Sequence, residues 1–348
     1  MLYPLKFTPV YKDYVWGGRG LEKLGRTLPE GIVAESWEIS CHKNGVSIVS
    51  NGALAGTDLP GLIGRYGREL VGNALSDRDV EKFPLLIKLI DADKNLSVQV
   101  HPDDGYARTH ENGEYGKNEM WYIIAAKPGS KLVYDVKPGT TRESFAQAVK
   151  QGRVEECLRS IEVSPGDAVY IPAGLVHAIG QGILLAEVQQ NSDTTYRVYD
   201  YGRTDRQLHI EKALEVIDFN PAGRKEKYRG LKIDLGGGSS KAFVVACRYF
   251  AVEAWEINGP VNTLASGEKF HIYTFTEGAG TISWDGGTET VKAGESLLIP
   301  ASLGRYGFEG HLKGIRAYIP DINKDVLREL KRAGYDDEKI LGEVAGLA

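Results

Sequence analysis

Three segments of the chain carry side chains that could hold a divalent metal ion. Gln99 and His101 lie two residues apart in an apolar stretch, and Glu119 and His177 follow in two other stretches that are typical of β-strands. Residues two apart on a strand project to the same face of a sheet. Two imidazoles, a carboxylate and an amide oxygen could therefore converge on one point as ligands for a divalent transition metal. A metal held with one open coordination position can act in catalysis.

Short apolar runs separated by glycine and proline predict the strands that would position these side chains. The predicted strands are residues 85–90, 95–101, 120–126, 131–136, 168–172 and 183–189. Helical periodicity is limited to residues 59–75, 142–158 with a break near Gly152, 209–219, and a C-terminal pair within 322–344. Many short strands with few helices favour a β-barrel or a β-sandwich.

The composition limits the classes of protein to which the chain could belong. Its 348 residues are enough for two or three domains, and its formal net charge of −5 gives no basic surface for nucleic acid. The first residues lack the apolar core of a signal peptide, and no apolar run approaches the roughly 20 residues of a membrane helix. Cys41, Cys157 and Cys247 form neither a CxxC pair nor a disulfide framework. We therefore expect a cytoplasmic protein that binds neither nucleic acid nor membranes; a monomer is compatible with the sequence, which does not predict the oligomeric state.

An internal repeat indicates two related barrels. Residues 163–173 match residues 291–301, since each has a glycine turn with an acidic residue, a strand and the tripeptide Ile-Pro-Ala. Residues 122–129 match residues 273–280 in the same order. A glycine-rich stretch at 236–238 lies between the two copies. The sequence thus predicts a metal-binding catalytic domain over residues 1–238 and a second barrel with terminal helices over residues 239–348.

The repeat also predicts which barrel holds the metal. Aligning the Ile-Pro-Ala segments makes Arg305 the counterpart of His177, and aligning Tyr122 with Tyr273 makes Phe270 the counterpart of Glu119. If the loops have equal lengths, Phe250 and Val252 are the counterparts of Gln99 and His101. None of these four counterparts is a usual ligand of a transition metal. We therefore expect the metal in the first barrel only, and random divergence of the two barrels is the alternative explanation.

The motifs taken together resemble those of the type I mannose-6-phosphate isomerases. They are ESWEIS at 35–40, QVHP at 99–102, KNE at 117–119, PAGLVH at 172–177 and SDTTYRVYD at 192–200. The resemblance covers about the first 205 residues motif by motif and extends more loosely to the C-terminus. It implies a mainly β fold of two cupin barrels, which are double-stranded β-helices or jelly rolls, with a few short helices. It also implies a zinc-dependent enzyme that interconverts mannose 6-phosphate and fructose 6-phosphate, in the short bacterial form of the family.

The resemblance further assigns roles to ten residues of this chain. It implies one zinc ion per chain in the N-terminal barrel, with the ligands Gln99, His101, Glu119 and His177. The implied catalytic residues are Glu187 as the candidate base, Arg197 and Lys117. The implied substrate-binding residues are Ser97, Lys88 and Arg203, the last at a position where some members of the family have lysine.

These residue types suit the isomerisation of an aldose to a ketose, which moves a proton between C1 and C2 of the sugar. One carboxylate and three neutral ligands leave the metal with a net positive charge, which can polarise a carbonyl group and stabilise an enediolate. Glu187 would carry the proton, and such a general base contributes about 10²–10⁴-fold to the rate. A single metal with a nearby base favours proton transfer through a cis-enediol over a hydride shift.

Several alternatives stay open from the sequence. The chain could be another metal-dependent cupin, such as an isomerase for a different sugar phosphate or an iron oxygenase, or a sugar-binding cupin without enzymatic activity. The ligand types alone would also accept manganese, cobalt or iron. Arg197 could contact the phosphate group, lie closer to the enediolate, or merely pair with Asp193 or Asp200. His209 belongs to no motif, and we interpret it as structural or exposed.

Overall fold

Most regular structure in the computed structural model, which describes residues 2–220 and 225–347, consists of antiparallel β-strands. The first fifteen strands are β1 (Leu5–Thr8), β2 (Val10–Lys12), β3 (Glu35–Ile39), β4 (Cys41–His42), β5 (Gly45–Val46), β6 (Ile48–Val49), β7 (Leu85–Ala92), β8 (Val98–Val100), β9 (Glu119–Ala126), β10 (Lys131–Val136), β11 (Leu158–Glu162), β12 (Ala168–Ile171), β13 (His177–Ile179), β14 (Ile183–Gln190) and β15 (Tyr196–Tyr199). The remaining strands are β16 (Leu231–Gly236), β17 (Ser239–Ala246), β18 (Ala251–Ile257), β19 (Val261–Ala265), β20 (His271–Trp284), β21 (Gly287–Lys292), β22 (Ser296–Ile299) and β23 (Gly304–Tyr318).

The α-helices of the described residues are all short. They are α1 (Leu59–Tyr66), α2 (Arg68–Val71), α3 (Asp77–Lys82), α4 (Asp104–His110), α5 (Arg142–Lys150), α6 (Ile210–Val216), α7 (Arg328–Arg332) and α8 (Asp337–Glu343). In the part of the chain that the structure describes, no helix has the length and apolar character needed to cross a membrane.

The six predicted strands are confirmed, whereas the predicted helices are shorter than expected. The helix expected over residues 59–75 is divided into α1 and α2 at Gly67, whose φ is 45°. The helix expected over residues 142–158 ends with α5, just before Gly152 at φ 68°. Glycine adopts such positive φ values without the steric cost that a side chain would add, and it therefore interrupts helices here. Neither α3 nor α4 was predicted.

Two antiparallel sheets form the first barrel. One has the strand order β12-β9-β14-β7-β3-β2, and the other has the order β11-β10-β13-β8-β15. The core of this barrel is apolar and includes Trp16, Ile90, Trp121, Leu132 and Ile179, each of which is buried. The sheets therefore enclose their own hydrophobic core and leave polar positions free for a site.

The second barrel shares its sheet with the start of the chain. Its sheet runs in the order β16-β17-β18-β23-β20-β22 and continues into β1 and β6, because Leu5 pairs with Leu298 and Phe7 pairs with Val49. The glycine-rich stretch at 236–238 forms the turn between β16 and β17. Strands from both halves of the chain thus belong to one sheet, and the division at residue 238 stays a prediction.

Equivalent strand pairs in the two barrels identify the true counterparts of the candidate ligands. In the matched Ile-Pro-Ala motifs, Ile171 pairs with Glu119, and Ile299 pairs with His271. The counterpart of Glu119 is therefore His271, and the predicted Phe270 is wrong by one residue. The prediction had aligned Tyr122 with Tyr273, which do not occupy equivalent positions in the two strand pairs. A shift of one residue turns a side chain to the other face of a sheet.

The counterparts of the other three ligands also differ from the prediction. His177 pairs with Gln99, and Tyr306 pairs with Thr263. The counterpart of His177 is therefore Tyr306 instead of Arg305. The counterparts of Gln99 and His101 are Thr263 and Ala265 instead of Phe250 and Val252. Equal loop lengths were assumed, but the first barrel has α4 between His101 and Glu119, and no such helix lies between Ala265 and His271.

Candidate metal centre

Three of the predicted metal ligands form a buried cluster in the first barrel. Glu119 begins β9, His177 begins β13, and His101 directly follows β8. His101 Nε2 lies 3.3 Å from Glu119 Oε1, and His177 Nε2 lies 3.7 Å from Glu119 Oε2. Among the described residues, these three form the one group of at least three His, Cys, Asp or Glu ligands close enough to hold a metal ion.

The backbone fixes the orientation of both imidazole rings. His177 Nδ1 donates to the carbonyl oxygen of Leu175 at 2.8 Å, and His101 Nδ1 donates to that of Thr194 at 2.9 Å. Each Nε2 therefore keeps its lone pair, and both lone pairs face the cluster. Such hydrogen bonds from the second ring nitrogen are typical of histidines that bind metals.

The charges in the cluster also suit a cation. Burial, together with the positive charge of Lys117, lowers the pKa of His101 to about 3, and burial lowers the pKa of His177. Although burial opposes it, the nearby Lys117 ammonium group holds the pKa of Glu119 well below its usual range. At neutral pH the cluster thus presents two neutral imidazoles and one carboxylate, which are the protonation states that metal binding requires.

Three buried atoms of the cluster lack a hydrogen-bond partner, and a metal ion would satisfy them. They are His101 Nε2 and both carboxylate oxygens of Glu119, of which Oε1 also lies 2.9 Å from Lys117 Nζ. Leaving a buried polar atom unsatisfied costs about 1–3 kcal/mol, and more for a charged group. The donor set of nitrogen and carboxylate oxygen therefore fits a divalent transition metal.

Gln99 lies beside the cluster as expected. Its Nε2 is 3.3 Å from His177 Nε2, and its Oε1 is 3.5 Å from Ser97 Oγ. A half-turn of the amide group exchanges the oxygen and the nitrogen, and an oxygen would then face the cluster. The role of Gln99 as a metal ligand stays a prediction.

A cavity of about 270 Å³ opens beside the cluster and brings most of the predicted residues together. The predicted residues that line it are Lys88, Ser97, Gln99, Lys117, Glu119, Glu187 and Arg197. His101 and His177 belong to the adjacent cluster. Arg203 does not line the cavity, because its guanidinium donates to the carboxylate of Asp200 and to the carbonyl oxygen of Asn95.

Four side chains form a row across adjacent strands, and three of them, Lys88, Glu187 and Trp121, line the cavity. Trp37 pairs with Lys88, Lys88 pairs with Glu187, and Glu187 pairs with Trp121. Glu187 Oε2 accepts a hydrogen bond from Trp121 Nε1 at 2.8 Å, which fixes the carboxyl group in place. Lys88 Nζ lies 3.1 Å from Glu187 Oε1 and 3.6 Å from Glu35 Oε2.

The environment of Glu187 favours proton uptake. Burial and the negative charge of Glu119 raise the pKa of Glu187, whereas Lys88 opposes the shift. The pKa of Lys88 is itself raised by Glu187 and Glu35, although burial alone would lower it. Lys88 is thus a permanent cation beside a carboxylate that is easier to protonate than an exposed one, as proton transfer requires.

Arg197 lies between the metal cluster and the loop that follows β15. It pairs directly with Gln99, its Nε donates to Ser97 Oγ at 3.1 Å, and its Nη1 donates to the carbonyl oxygen of Gln207 at 3.0 Å. No carboxylate of the described residues lies within 4 Å of its guanidinium, so the proposed ion pairs with Asp193 and Asp200 are not formed.

The structure adds cavity residues that the sequence analysis did not select. They are Tyr14, Trp16, Glu35, Ile90, Leu96, Trp121, Ile179, Asp193, Thr195, Arg206 and His209. His209, which we had interpreted as structural or exposed, follows the arginine motif closely in sequence. Proximity to Arg197 was the one available signal for Arg206 and His209, and it did not distinguish them from Arg203.

Comparisons with known proteins agree with this architecture. The family model described as "Phosphomannose isomerase type I, catalytic domain" matches residues 4–126, and that described as "Mannose-6-phosphate isomerase, cupin domain" matches residues 239–319. The chain is 39% identical to mannose-6-phosphate isomerase ManA from Bacillus subtilis over 321 residues, which cover 91% of this chain and 99% of the relative. A mannose-6-phosphate isomerase from Streptococcus mutans is 37% identical over 91% of this chain and 99% of the relative.

Solved structures confirm the expected fold. The crystal structure of the mannose 6-phosphate isomerase from Bacillus subtilis matches with a TM-score of 0.82 and 35% identity, over 91% of this chain and 99% of that chain. A mutant phosphomannose isomerase from Salmonella typhimurium has the same fold, with a TM-score of 0.75 at 17% identity over 91% of this chain and all of that chain. The mainly β structure with two cupin barrels is thus confirmed.

Proposed function

The chain belongs to the type I mannose-6-phosphate isomerase family, and from this premise we propose that it interconverts D-mannose 6-phosphate and D-fructose 6-phosphate. The observation that carries the proposal is the buried cluster of His101, Glu119 and His177 beside a cavity that contains Glu187 and Arg197. The cluster can hold a Lewis acid, Glu187 can exchange a proton, and Arg197 can bind an anion. An aldose–ketose isomerase for a sugar phosphate needs all three capacities.

We propose one zinc ion per chain in the N-terminal barrel, bound by Gln99, His101, Glu119 and His177. When bound, the ion supplies Lewis-acid polarisation of the sugar oxygens next to the carbons that exchange the proton. The unsatisfied His101 Nε2 and Glu119 Oε2 support the site, and the family resemblance supports the choice of zinc over manganese, cobalt or iron.

We assign the transfer of the proton between C1 and C2 to Glu187. Its carboxyl group is held by Trp121 Nε1, and its raised pKa brings proton affinity closer to that of a substrate intermediate. Because one carboxylate would both remove and return the proton, the path runs through a cis-enediol. Lys88 forms an ion pair with Glu187 and offsets its negative charge, and Lys117 keeps Glu119 ionised. Both lysines would therefore act next to the carbons that exchange the proton.

We propose that Lys88 and Ser97, which line the cavity, contact the substrate. Ser97 Oγ also accepts a hydrogen bond from Arg197 Nε. Arg203, which the resemblance assigned to substrate binding, would affect the substrate only through Asp200, because it lies outside the lining of the cavity.

We also propose a cytoplasmic location, since Cys41, Cys157 and Cys247 are all free thiols.

A coupled isomerase assay tests the proposed function. The purified chain is assayed with several hexose 6-phosphates, first as isolated, then after dialysis against a chelator, and finally after addition of zinc. We expect turnover of mannose 6-phosphate that is lost with the metal and restored by zinc. If only another hexose phosphate is turned over, the chain is an isomerase for a different sugar phosphate. Binding of mannose 6-phosphate without turnover would favour a sugar-binding cupin without enzymatic activity. Activity that survives removal of the metal would contradict the proposal.

A further inference from the structure

Arg206 occupies the part of the cavity lining that the loop after β15 contributes. Its Nε donates to Asp200 Oδ2 at 3.0 Å, and its Nη2 donates to Asp200 Oδ1 at 2.7 Å. Within residues 2–220 and 225–347, the structure gives Nη1 of Arg206 no hydrogen-bond acceptor. The guanidinium is therefore fixed on one side and available to a ligand on the other.

Asp200 holds two arginines but presents only one of them to the cavity. Its buried carboxylate accepts hydrogen bonds from Arg203 as well as from Arg206. Arg203 also donates to the carbonyl oxygen of Asn95, which directs its guanidinium elsewhere. Arg206 lines the cavity together with Arg197 and His209, whereas Arg203 does not. The Asp200 carboxylate therefore holds Arg203 against the backbone and Arg206 at the cavity, where a ligand can bind.

The charges around Arg206 suit a bound anion. Arg197 has no carboxylate partner within 4 Å among the described residues, and the positive charge of Arg206 adds to the effect of burial in lowering the pKa of Arg197. Two guanidinium groups whose positive charges disfavour each other would both gain from a doubly charged phosphate monoester. Arginine presents a forked set of N–H donors that matches phosphate oxygens.

We propose that Arg206 is the residue that selects phosphorylated over free sugars, by donating from Nη1 to the phosphate group. Arg197 lies closer to the metal cluster, because its strand partner is Gln99. Arg206 lies on the loop that follows β15, and its contacts are with Asp200 instead of the metal cluster. This inference rests on the proposed function, and it replaces Arg203 by Arg206 as the phosphate contact.

Calorimetric titration with a ligand that cannot react tests the assignment. The probe is D-mannitol 1-phosphate, a polyol phosphate without a carbonyl group, and D-mannitol is its unphosphorylated control. The full-length zinc-loaded chain is compared with Arg206→Ala, Arg206→Lys and Arg203→Ala. Metal content and circular dichroism are measured for each protein, and Arg206→Lys provides a milder change if Arg206→Ala does not fold.

We expect Arg206→Ala to raise the Kd for D-mannitol 1-phosphate about 10–100-fold, as for the loss of a charge-assisted hydrogen bond. Arg206→Lys should fall between the wild type and Arg206→Ala, and the KM for mannose 6-phosphate should rise in parallel. Arg203→Ala should change the Kd by less than a third of the Arg206→Ala factor. A change below about 3-fold for Arg206→Ala, or an equal loss in Arg203→Ala, would overturn the proposal.

The two hypotheses fail in different ways. If the wild type binds D-mannitol 1-phosphate but does not isomerise mannose 6-phosphate, the proposed function fails, and the calorimetry still decides the role of Arg206. If the wild type isomerises mannose 6-phosphate but Arg206→Ala binds the probe as tightly, only the role of Arg206 is overturned. Equal affinity of the wild type for D-mannitol and its phosphate would also overturn that role.

Discussion

Lys88 and Glu187 are direct partners on neighbouring strands, with Lys88 Nζ 3.1 Å from Glu187 Oε1. Their counterparts in the second barrel are Glu253 and Arg316, so the carboxylate and the cation have exchanged strands. Arg316 Nη2 donates to Glu253 Oε1 at 2.7 Å. Both pairs are buried, and Lys88 and Glu187 line the cavity beside the metal cluster.

The surroundings of the two pairs separate a reactive group from a structural one. Glu253 accepts further hydrogen bonds from Trp255 Nε1 and Tyr318 Oη, and its side chain is fully buried. In the position of the metal cluster, His271 Nδ1 and the hydroxyl group of Tyr306 are hydrogen-bonded at 2.8 Å. The second barrel thus keeps the architecture and fills the place of the site with its own side chains.

Glu187→Gln should abolish proton exchange while the metal stays bound. The amide has the same shape as the carboxyl group but cannot accept the proton, so the incorporation of solvent deuterium at C1 and C2 should fall about 10²–10⁴-fold. Mass spectrometry of the sugar phosphates after incubation in D₂O measures this incorporation. Glu162→Gln, on the exposed side of β11, is the matched control and should exchange at the wild-type rate. Unchanged exchange in Glu187→Gln would place the base elsewhere.

His177→Ala and Glu119→Ala should lose metal and activity together. Each variant removes one proposed ligand and leaves the remaining buried polar atoms without a partner, which should weaken metal binding as well as catalysis. Elemental analysis after dialysis gives the zinc content per chain. His271→Ala removes the counterpart of Glu119 in the second barrel and should keep the wild-type zinc content. Stoichiometric zinc in both first-barrel variants would exclude these residues as ligands.

Arg197→Ala should lower kcat by about 10²-fold, the usual effect of removing one donor that stabilises negative charge in the transition state. Zinc content should not change, because Arg197 does not touch His101, Glu119 or His177. Steady-state kinetics with mannose 6-phosphate and elemental analysis on the same preparation check both statements. Arg153→Ala, an exposed arginine paired with Glu156, controls for the loss of one positive charge. Wild-type kinetics would remove Arg197 from the proposed site.

The strands and the convergence of His101, Glu119 and His177 were predictable from the sequence because local signals carry them. Short apolar runs between glycine and proline turns predicted β7, β9, β10, β12 and β14. The spacing of Gln99 and His101 predicted a shared face, and the structure places both beside Glu119 and His177. These features depend on neighbours in sequence or on residue types with few alternative uses.

Long-range register and the choice among similar side chains were not predictable in this way. The counterparts of the ligands depended on α4 and on the register of pairing between distant strands, which loop lengths alone do not determine. Arg203 and Arg206 are three residues apart and identical in type, and only the hydrogen bonds to Asp200 and Asn95 separate their directions. His209 lies at the end of the same loop and also lines the cavity.

The ion pair of the second barrel should contribute to stability in a manner that depends on pH. Although burial opposes it, Arg316 and Lys241 lower the pKa of Glu253 to about 2. A lowered carboxyl pKa stabilises the folded state above the pKa of the unfolded chain, near 4.5. That stability is lost as the pH falls through about 2, because protonation then removes the charge in the folded state as well.

Glu253→Gln should therefore lower the free energy of unfolding at pH 7 by about 3 kcal/mol, since it leaves Arg316 and Lys241 without their buried carboxylate. Urea denaturation of both proteins from pH 7 to pH 2 measures the difference, which should shrink progressively below about pH 4.5. Glu329→Gln removes the exposed partner of Lys241 and should cost less than about 1 kcal/mol. A constant difference between wild type and Glu253→Gln across this range would show that packing, and not the charge of Glu253, stabilises the second barrel.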